Sequence, residues 1–230
     1  MKPARVIVTR SPHRMVGMVC CPWLQDEPIH HESITERWFI CLAVMLPRLG
    51  RIQHQPFEMS LPDGCGKDRR SEGTYTPDFL LQFDTGEQIV VEVKPEVFVD
   101  KHRRKLQNAA SQLRQRKLLF HVVTDEQMEK LAALGEATLL RRQGKSHHRA
   151  DDIARVVNLL EDFGRGIEAA SLCERAAVSF ELVTWLVARG EAYAERPFGF
   201  TVKSIVFPMS VTEVNHANVY VERWFGTSAW

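Results

Sequence analysis

The stretch "YTPDFLLQFDTGEQIVVEVK", Tyr75 to Lys94, decides how this chain is read. Two apolar runs, about Phe79 to Phe83 and Ile89 to Val93, flank an Asp-Thr-Gly turn, the pattern of a β-hairpin. Side chains two apart along a strand share a face, so Glu92 and Lys94 point the same way. Two charges in an otherwise apolar strand cost free energy unless something uses them. Asp78, preceded by Pro77 at the start of the first strand, falls at the same end of the hairpin, giving Asp-x13-Glu-x-Lys. Two carboxylates and a backbone carbonyl form a hard oxygen site of the kind Mg²⁺ or Mn²⁺ accepts, completed by water and a substrate phosphate. The lysine would then orient a water or stabilise charge on phosphate oxygens during phosphodiester hydrolysis. The competing reading places Glu92 and Lys94 on the solvent face of an edge strand, pairing weakly with each other. Pro77-Asp78 at the matching distance and the apolar neighbours Val91 and Val93 favour the chemical reading.

Outward from the hairpin, Ile34 to Leu46 has helical spacing (Trp38, Cys41, Leu42, Met45), and Ser33 with Glu36 forms a capping box. Pro47 ends it. "RIQHQPFEM", 51–59, reads as one short strand, and "PDGCGKDRRSEG" as a polar loop. After Pro95 a helix is expected from about Asp100 to Arg116, then a buried strand at 118–124, then a helix capped by Asp125 and running through Leu134. Helix, strand, hairpin, helix, strand, helix describes a mixed α/β domain, its sheet flanked by helices.

The polar segment "RRQGKSHHRADD" reads as a linker. Beyond it, 151–163 is helical, and two short helices meet at Val178-Ser179, with Ser171 and Glu174 as a capping box, Ser179 as second cap and Gly190 as terminator. "EAYAERPFGFTVKSIVFP" alternates like a hairpin. Helix, turn, helix, hairpin is the order of a winged helix. The N-terminal 1–30 reads as an arm with a short strand at Val6 to Val8.

With 230 residues, 44% hydrophobic and 26% charged, the chain is long enough for one large domain or a medium domain with a small partner, and can bury a real core. Net charge is +1, so any nucleic-acid surface must be local. No apolar run approaches the roughly 18 residues of a membrane span, and the N-terminus lacks a signal-peptide core. No membrane partner and a cytoplasmic location are expected. Five cysteines without CxxC or His-Cys spacing read as reduced structural thiols rather than a zinc site.

These residues resemble the PD-(D/E)xK nuclease superfamily. "HHESITERWF", "YTPDFLLQF" and "VVEVKPE", with the Gln-Pro element at Gln53 to Pro56, are similar to TnsA, the endonuclease subunit of heteromeric transposases. The resemblance implies a restriction-endonuclease-like mixed sheet flanked by helices at 1–140, a linker at 141–150 and a small winged-helix-like docking domain at 151–230. It implies catalytic Glu36, Asp78, Glu92 and Lys94, with Glu36, Asp78 and Glu92 around Mg²⁺ or, as its substitute, Mn²⁺. Glu32 is the alternative to Glu36, whose bland role is the capping box. The implied activity is nicking the 5′ ends of a transposon in a bacterial cytoplasm. The implied partners are double-stranded DNA, the DDE transposase TnsB and the AAA+ regulator TnsC.

"KHRRKLQNAASQLRQRK", 101–117, carries seven Lys or Arg and no acid. Lys101, Arg103, Arg104, Lys105, Arg114 and Arg116 therefore form a candidate grip on the DNA backbone, where phosphate contacts fix register without reading sequence. Arg141, Arg142, Lys145 and Arg149 are a weaker cluster. Helix 180–189 offers Glu181, Thr184 and Trp185, a poor set for base readout, and favours partner docking. Two other readings stand beside the transposon nuclease: a stand-alone restriction or repair nuclease, and a non-catalytic winged-helix DNA-binding regulator.

Overall fold

Gly86 sits at φ 88°, a backbone state that only glycine takes cheaply, and lets the hairpin turn close with Phe83 N–H on the Glu87 carbonyl. The computed structural model describes residues 15–61, 73–130, 134–194, 198–211, 217–227 and 229–230. The expected strand at Val6 to Val8, most of the polar loop, and Cys65 lie outside the described residues.

In chain order, β1 (Gly17–Val19) and β2 (Ile29–His31) form a small antiparallel ribbon, followed by α1 (Ile34–Ala43). β3 (Leu49–His54) enters the main sheet, and β4 (Met59–Leu61) pairs with β5 (Gly73–Tyr75) beside it. The hairpin is β6 (Phe79–Phe83) and β7 (Gln88–Lys94), and after it come α2 (Glu96–Gln115), β8 (Leu119–Thr124), α3 (Asp125–Lys130) and α4 (Leu134–Gln143). The sheet order is β3-β6-β7-β8, antiparallel except for the parallel β7–β8 pair. β7 is thus central and covered on both faces, which is why it reads as a nearly continuous apolar run. Ile89, Val91 and Val93 pack with α1, while Val90 packs with the α2 residues Val99, Leu106, Ala109, Ala110 and Leu113, spaced along one helical face.

Several expected boundaries move. α1 ends at Ala43 rather than Leu46, its last turn loosening into Val44 to Leu46 before Pro47. The single strand expected at 51–59 is two strands, β3 and β4, broken at Gln55, which has φ 47° and donates its N–H to the Asp78 carbonyl. The expected linker is helical as far as Gln143, because Ala137 and Leu140 belong to the α1 core.

The rest of the chain makes a second core. α5 (Ala150–Phe163), β9 (Ile167–Glu168), α6 (Ala169–Ala176), α7 (Phe180–Ala188), β10 (Ala192–Tyr193) and β11 (Ile205–Pro208) give helix, strand, helix, helix, hairpin, with sheet order β10-β11-β9. Gly166, at φ 79°, is required where the β9 strand passes Phe207, whose ring would stand 2.6 Å from an added Cβ. Ser179 caps α7 through the Leu182 N–H as expected. Ser171 does not cap α6, since that helix starts at Ala169 and its first N–H groups bond to the Ser204 and Val202 carbonyls.

The final helix, α8 (Ala217–Phe225), leaves the second core and packs into the first. Phe225 meets the Phe39 ring at 5.2 Å, and Phe39 meets Phe79 at 5.1 Å. The terminal aromatics Trp224 and Phe225 are therefore buried. His121 of β8 is hydrogen-bonded to Asn218 of α8, and Thr227 and Trp230 bond to the β8 carbonyls of Val122 and Phe120, covering the outer edge of that strand. Cys21 and Cys41 lie in this core, and burial lifts the Cys21 thiol to about 12, so it stays protonated. No helix among the described residues is long and apolar enough to cross a membrane.

Candidate active site

The antiparallel register pairs Phe79 with Val91, and one step back along it sets Asp78 opposite Glu92 at the end of the hairpin. Asp78 Oδ2 accepts from the Val93 N–H at 2.8 Å, so its carboxylate lies against the peptide between Glu92 and Lys94. Glu92 is buried, and each of its oxygens has a donor: Lys94 Nζ at 2.7 Å on Oε1 and the Tyr75 hydroxyl at 2.7 Å on Oε2. Burial, reinforced by the charges of Glu92 and Glu36, pushes the Asp78 carboxyl well above its usual range. Lys94 moves up too: burial opposes this, but the carboxylates of Glu92, Asp78 and Glu36 outweigh it and keep the ammonium charged.

Glu36 approaches from α1. Its carboxylate accepts from the Glu32 N–H at 2.7 Å and the Ser33 hydroxyl at 2.9 Å, while Ser33 Oγ accepts from the Glu36 N–H. The helix cap and the acidic cluster are thus the same side chain, and the cap fixes the direction in which Glu36 points. His54 of β3 stands 3.6 Å from Glu36 Oε2 with its ring against Phe79. Burial works to raise the Glu36 carboxyl, but His54 and the two donors at the cap hold it below its ordinary value. Glu36 of α1, Asp78 immediately before β6, and Glu92 and Lys94 of β7 therefore act on one another.

Among the described residues, no three His, Cys, Asp or Glu are already gathered as a metal cage. The donor chemistry nevertheless fits a hard divalent cation. Three carboxylates face a single ammonium, and burial together with the charges of Glu92 and Glu36 raises the Asp78 carboxyl, a penalty that a bound cation would relieve. Tyr75 and His54 also belong to this group, and neither carries a sequence signal for it.

The basic helix is divided in its tasks. Arg103 pairs with Asp100, Arg114 donates to the Trp230 carbonyl at 2.9 Å, and Arg116 lies over the Phe57 ring. Lys101 and Arg104 are exposed and make no ion pair among the described residues, and Lys105 lies 5.2 Å over the Tyr75 ring. Replacing Lys101, Arg104 and Lys105 together by Ala should lower duplex affinity and flatten the salt dependence of binding by roughly one logarithmic slope unit per side chain. Fluorescence anisotropy across a salt series measures both. An unchanged slope would remove this face from the DNA path.

A family model described as "TnsA-like endonuclease N terminal" matches residues 47–125, from the end of the α1 turn through β3, β6, β7, α2 and β8. Over those residues the chain is similar to a TnsA-like endonuclease domain. Its sheet, mixed and flanked by helices, is of the restriction-endonuclease-like kind expected of PD-(D/E)xK nucleases. The TnsA-like match contains Asp78, Glu92 and Lys94 and stops short of Glu36, whose place beside them is set by α1 packing on the sheet. A comparison with curated proteins gave no match.

Proposed function

We propose that this protein is a Mg²⁺-dependent DNA endonuclease that nicks the 5′ ends of a transposon during cut-and-paste transposition, working with the DDE transposase TnsB and the regulator TnsC. The observation that carries this reading is the meeting of Asp78, Glu92 and Lys94 at one end of the hairpin inside a TnsA-like domain. Asp78 and Glu92, with Glu36 behind them, would hold Mg²⁺ or Mn²⁺, which supplies a Lewis acid for the phosphoryl oxygen and a more acidic water. Lys94 remains an ammonium in this setting, so it serves as a cation that holds the scissile phosphate or the attacking water and not as a base. Lys101, Arg104 and Lys105, on the helix that follows the Lys94 strand, hold the flanking backbone.

We propose that the second core is a winged-helix-like docking module; its helix, strand, helix, helix, hairpin order supports this reading. Trp185 is buried and donates its indole N–H to the Ser146 carbonyl at 2.8 Å, so it is unavailable to bases. Glu181 and Thr184 remain, and an acid facing a phosphate backbone repels it.

The test is strand-specific nicking of a supercoiled plasmid carrying transposon ends, with TnsB and TnsC present. Nicks at the 5′ ends should require Mg²⁺ or Mn²⁺ and vanish with a chelator. Undiminished nicking in chelator would refute metal dependence, and equal cutting of plain duplex by the purified chain alone would refute the transposon role.

A further inference from the structure

Tyr75 stands at the end of β5, outside the four-stranded sheet, yet its hydroxyl reaches Glu92 Oε2 at 2.7 Å. The side chain is held on several sides. Its edge meets Phe120 at 6.5 Å and 87°, Lys105 covers its face, and β5 is paired to β4 with Met59 opposite Tyr75. It is only 3% exposed, which leaves the ring no room to swing aside. A carboxylate oxygen can only accept, so in this contact the phenol hydroxyl is the donor.

A carboxylate with one oxygen fixed by a rigid phenol has lost most of its rotational freedom. Groups of this kind behind a metal ligand set its orientation and its basicity. We propose that Tyr75 is a positioning residue of the nuclease centre: its hydroxyl fixes the Glu92 carboxylate beside Asp78 for a hard divalent cation, and its ring ties that carboxylate to the DNA-facing helix through Lys105. This rests on the metal-dependent reading above and deepens it.

The test uses the full chain and Mn²⁺ alone as probe, read by electron paramagnetic resonance, alongside nicking in the complete transposition mixture. Tyr75→Phe should bind Mn²⁺ about 10- to 100-fold more weakly and nick more slowly to a similar degree. Its affinity for duplex DNA in chelator should stay that of the wild type. In a Glu92→Gln background, Tyr75→Phe should cause little further loss of Mn²⁺ affinity, because the group it positions is gone. Wild-type Mn²⁺ affinity in Tyr75→Phe overturns the proposal, whatever the nicking rate. An equal further loss in the Glu92→Gln background also overturns it, since that would mark a general packing defect, and this comparison holds even if the single variant melts early. Failure of the parent reading is distinguishable: the wild type itself would then bind no Mn²⁺ and show no metal-dependent nicking.

Discussion

Asp78→Ala should give a folded protein that no longer nicks DNA, with a rate loss on the order of a thousand-fold or more. A cation's Lewis-acid contribution amounts to several kcal/mol, and each 1.4 kcal/mol is about tenfold in rate. The more telling variant is Asp78→Asn, which keeps the shape and can still accept from the Val93 N–H. In wild type, burial and the carboxylates of Glu92 and Glu36 raise the Asp78 carboxyl, so ionising it weakens the metal-free fold. The sign follows from the direction of the shift. The penalty is absent below the ordinary aspartate value and grows as pH rises from there through the raised folded value. Metal-free Asp78→Asn should therefore melt at or above wild type at neutral pH, with about 1 kcal/mol of relief showing as about 2–4 °C. The difference should close on acidification. Mg²⁺ should reverse the order, raising the wild type by mass action and leaving the variant unmoved. Calorimetry at two pH values, with and without Mg²⁺, measures all of this. A variant that melts well below wild type without metal would show that Asp78 supports the fold and does not burden it.

What could be read from the sequence was what local chemistry fixes. The hairpin is legible because two apolar runs, Gly86 between them and the Asp-x13-Glu-x-Lys spacing all lie within twenty residues. Elements whose ends are set from far away were read less well. α2 begins at Glu96, four residues before the expected start, because its first donor is satisfied by Asp125 of α3, read from the sequence only as the cap of its own helix. α6 begins two residues before Ser171 because its donors go to carbonyls of the β10–β11 connection. The same holds for the site. Asp78, Glu92 and Lys94 announce themselves by spacing, whereas the local pattern around Glu36 signals only a capping box and its place in the site comes from the family resemblance. Tyr75 and His54 gave no comparable signal, since each acquires its partner only when β5 and α1 pack against the sheet. The basic run 101–117 was legible as charge, but its division into Lys101 and Arg104 facing solvent and Arg103 and Arg114 engaged by protein depends on the Asp100 carboxylate and the Trp230 carbonyl.

Phe225→Ala should destabilise the nuclease core itself, although residue 225 lies a hundred residues beyond the TnsA-like match. Phe225 is 1% exposed, packed on Phe39, and shares a core with Phe79 at the root of the hairpin that carries Asp78. Emptying such a site removes transfer free energy and leaves a cavity, about 3–5 kcal/mol for Phe to Ala. Against a typical total of about 5–15 kcal/mol that is a large fraction. The expected fall in melting temperature is on the order of 10 °C for a domain of this size. In urea the midpoint should fall at unchanged slope, the mark of lost stability without a change in exposed surface. Phe225→Leu, which refills most of the volume, should recover the larger part. Removing 217–230 altogether should cost more still, because Tyr220, Val221 and Trp224 leave the core with Phe225, and the carbonyls of Phe120 and Val122 lose their donors. Nicking by Phe225→Ala at low temperature should approach that of wild type, since no atom of Phe225 belongs to the acidic cluster. Wild-type melting of Phe225→Ala, or a stable nuclease fragment ending before α8, would show that this helix is an accessory and that the first core closes without it.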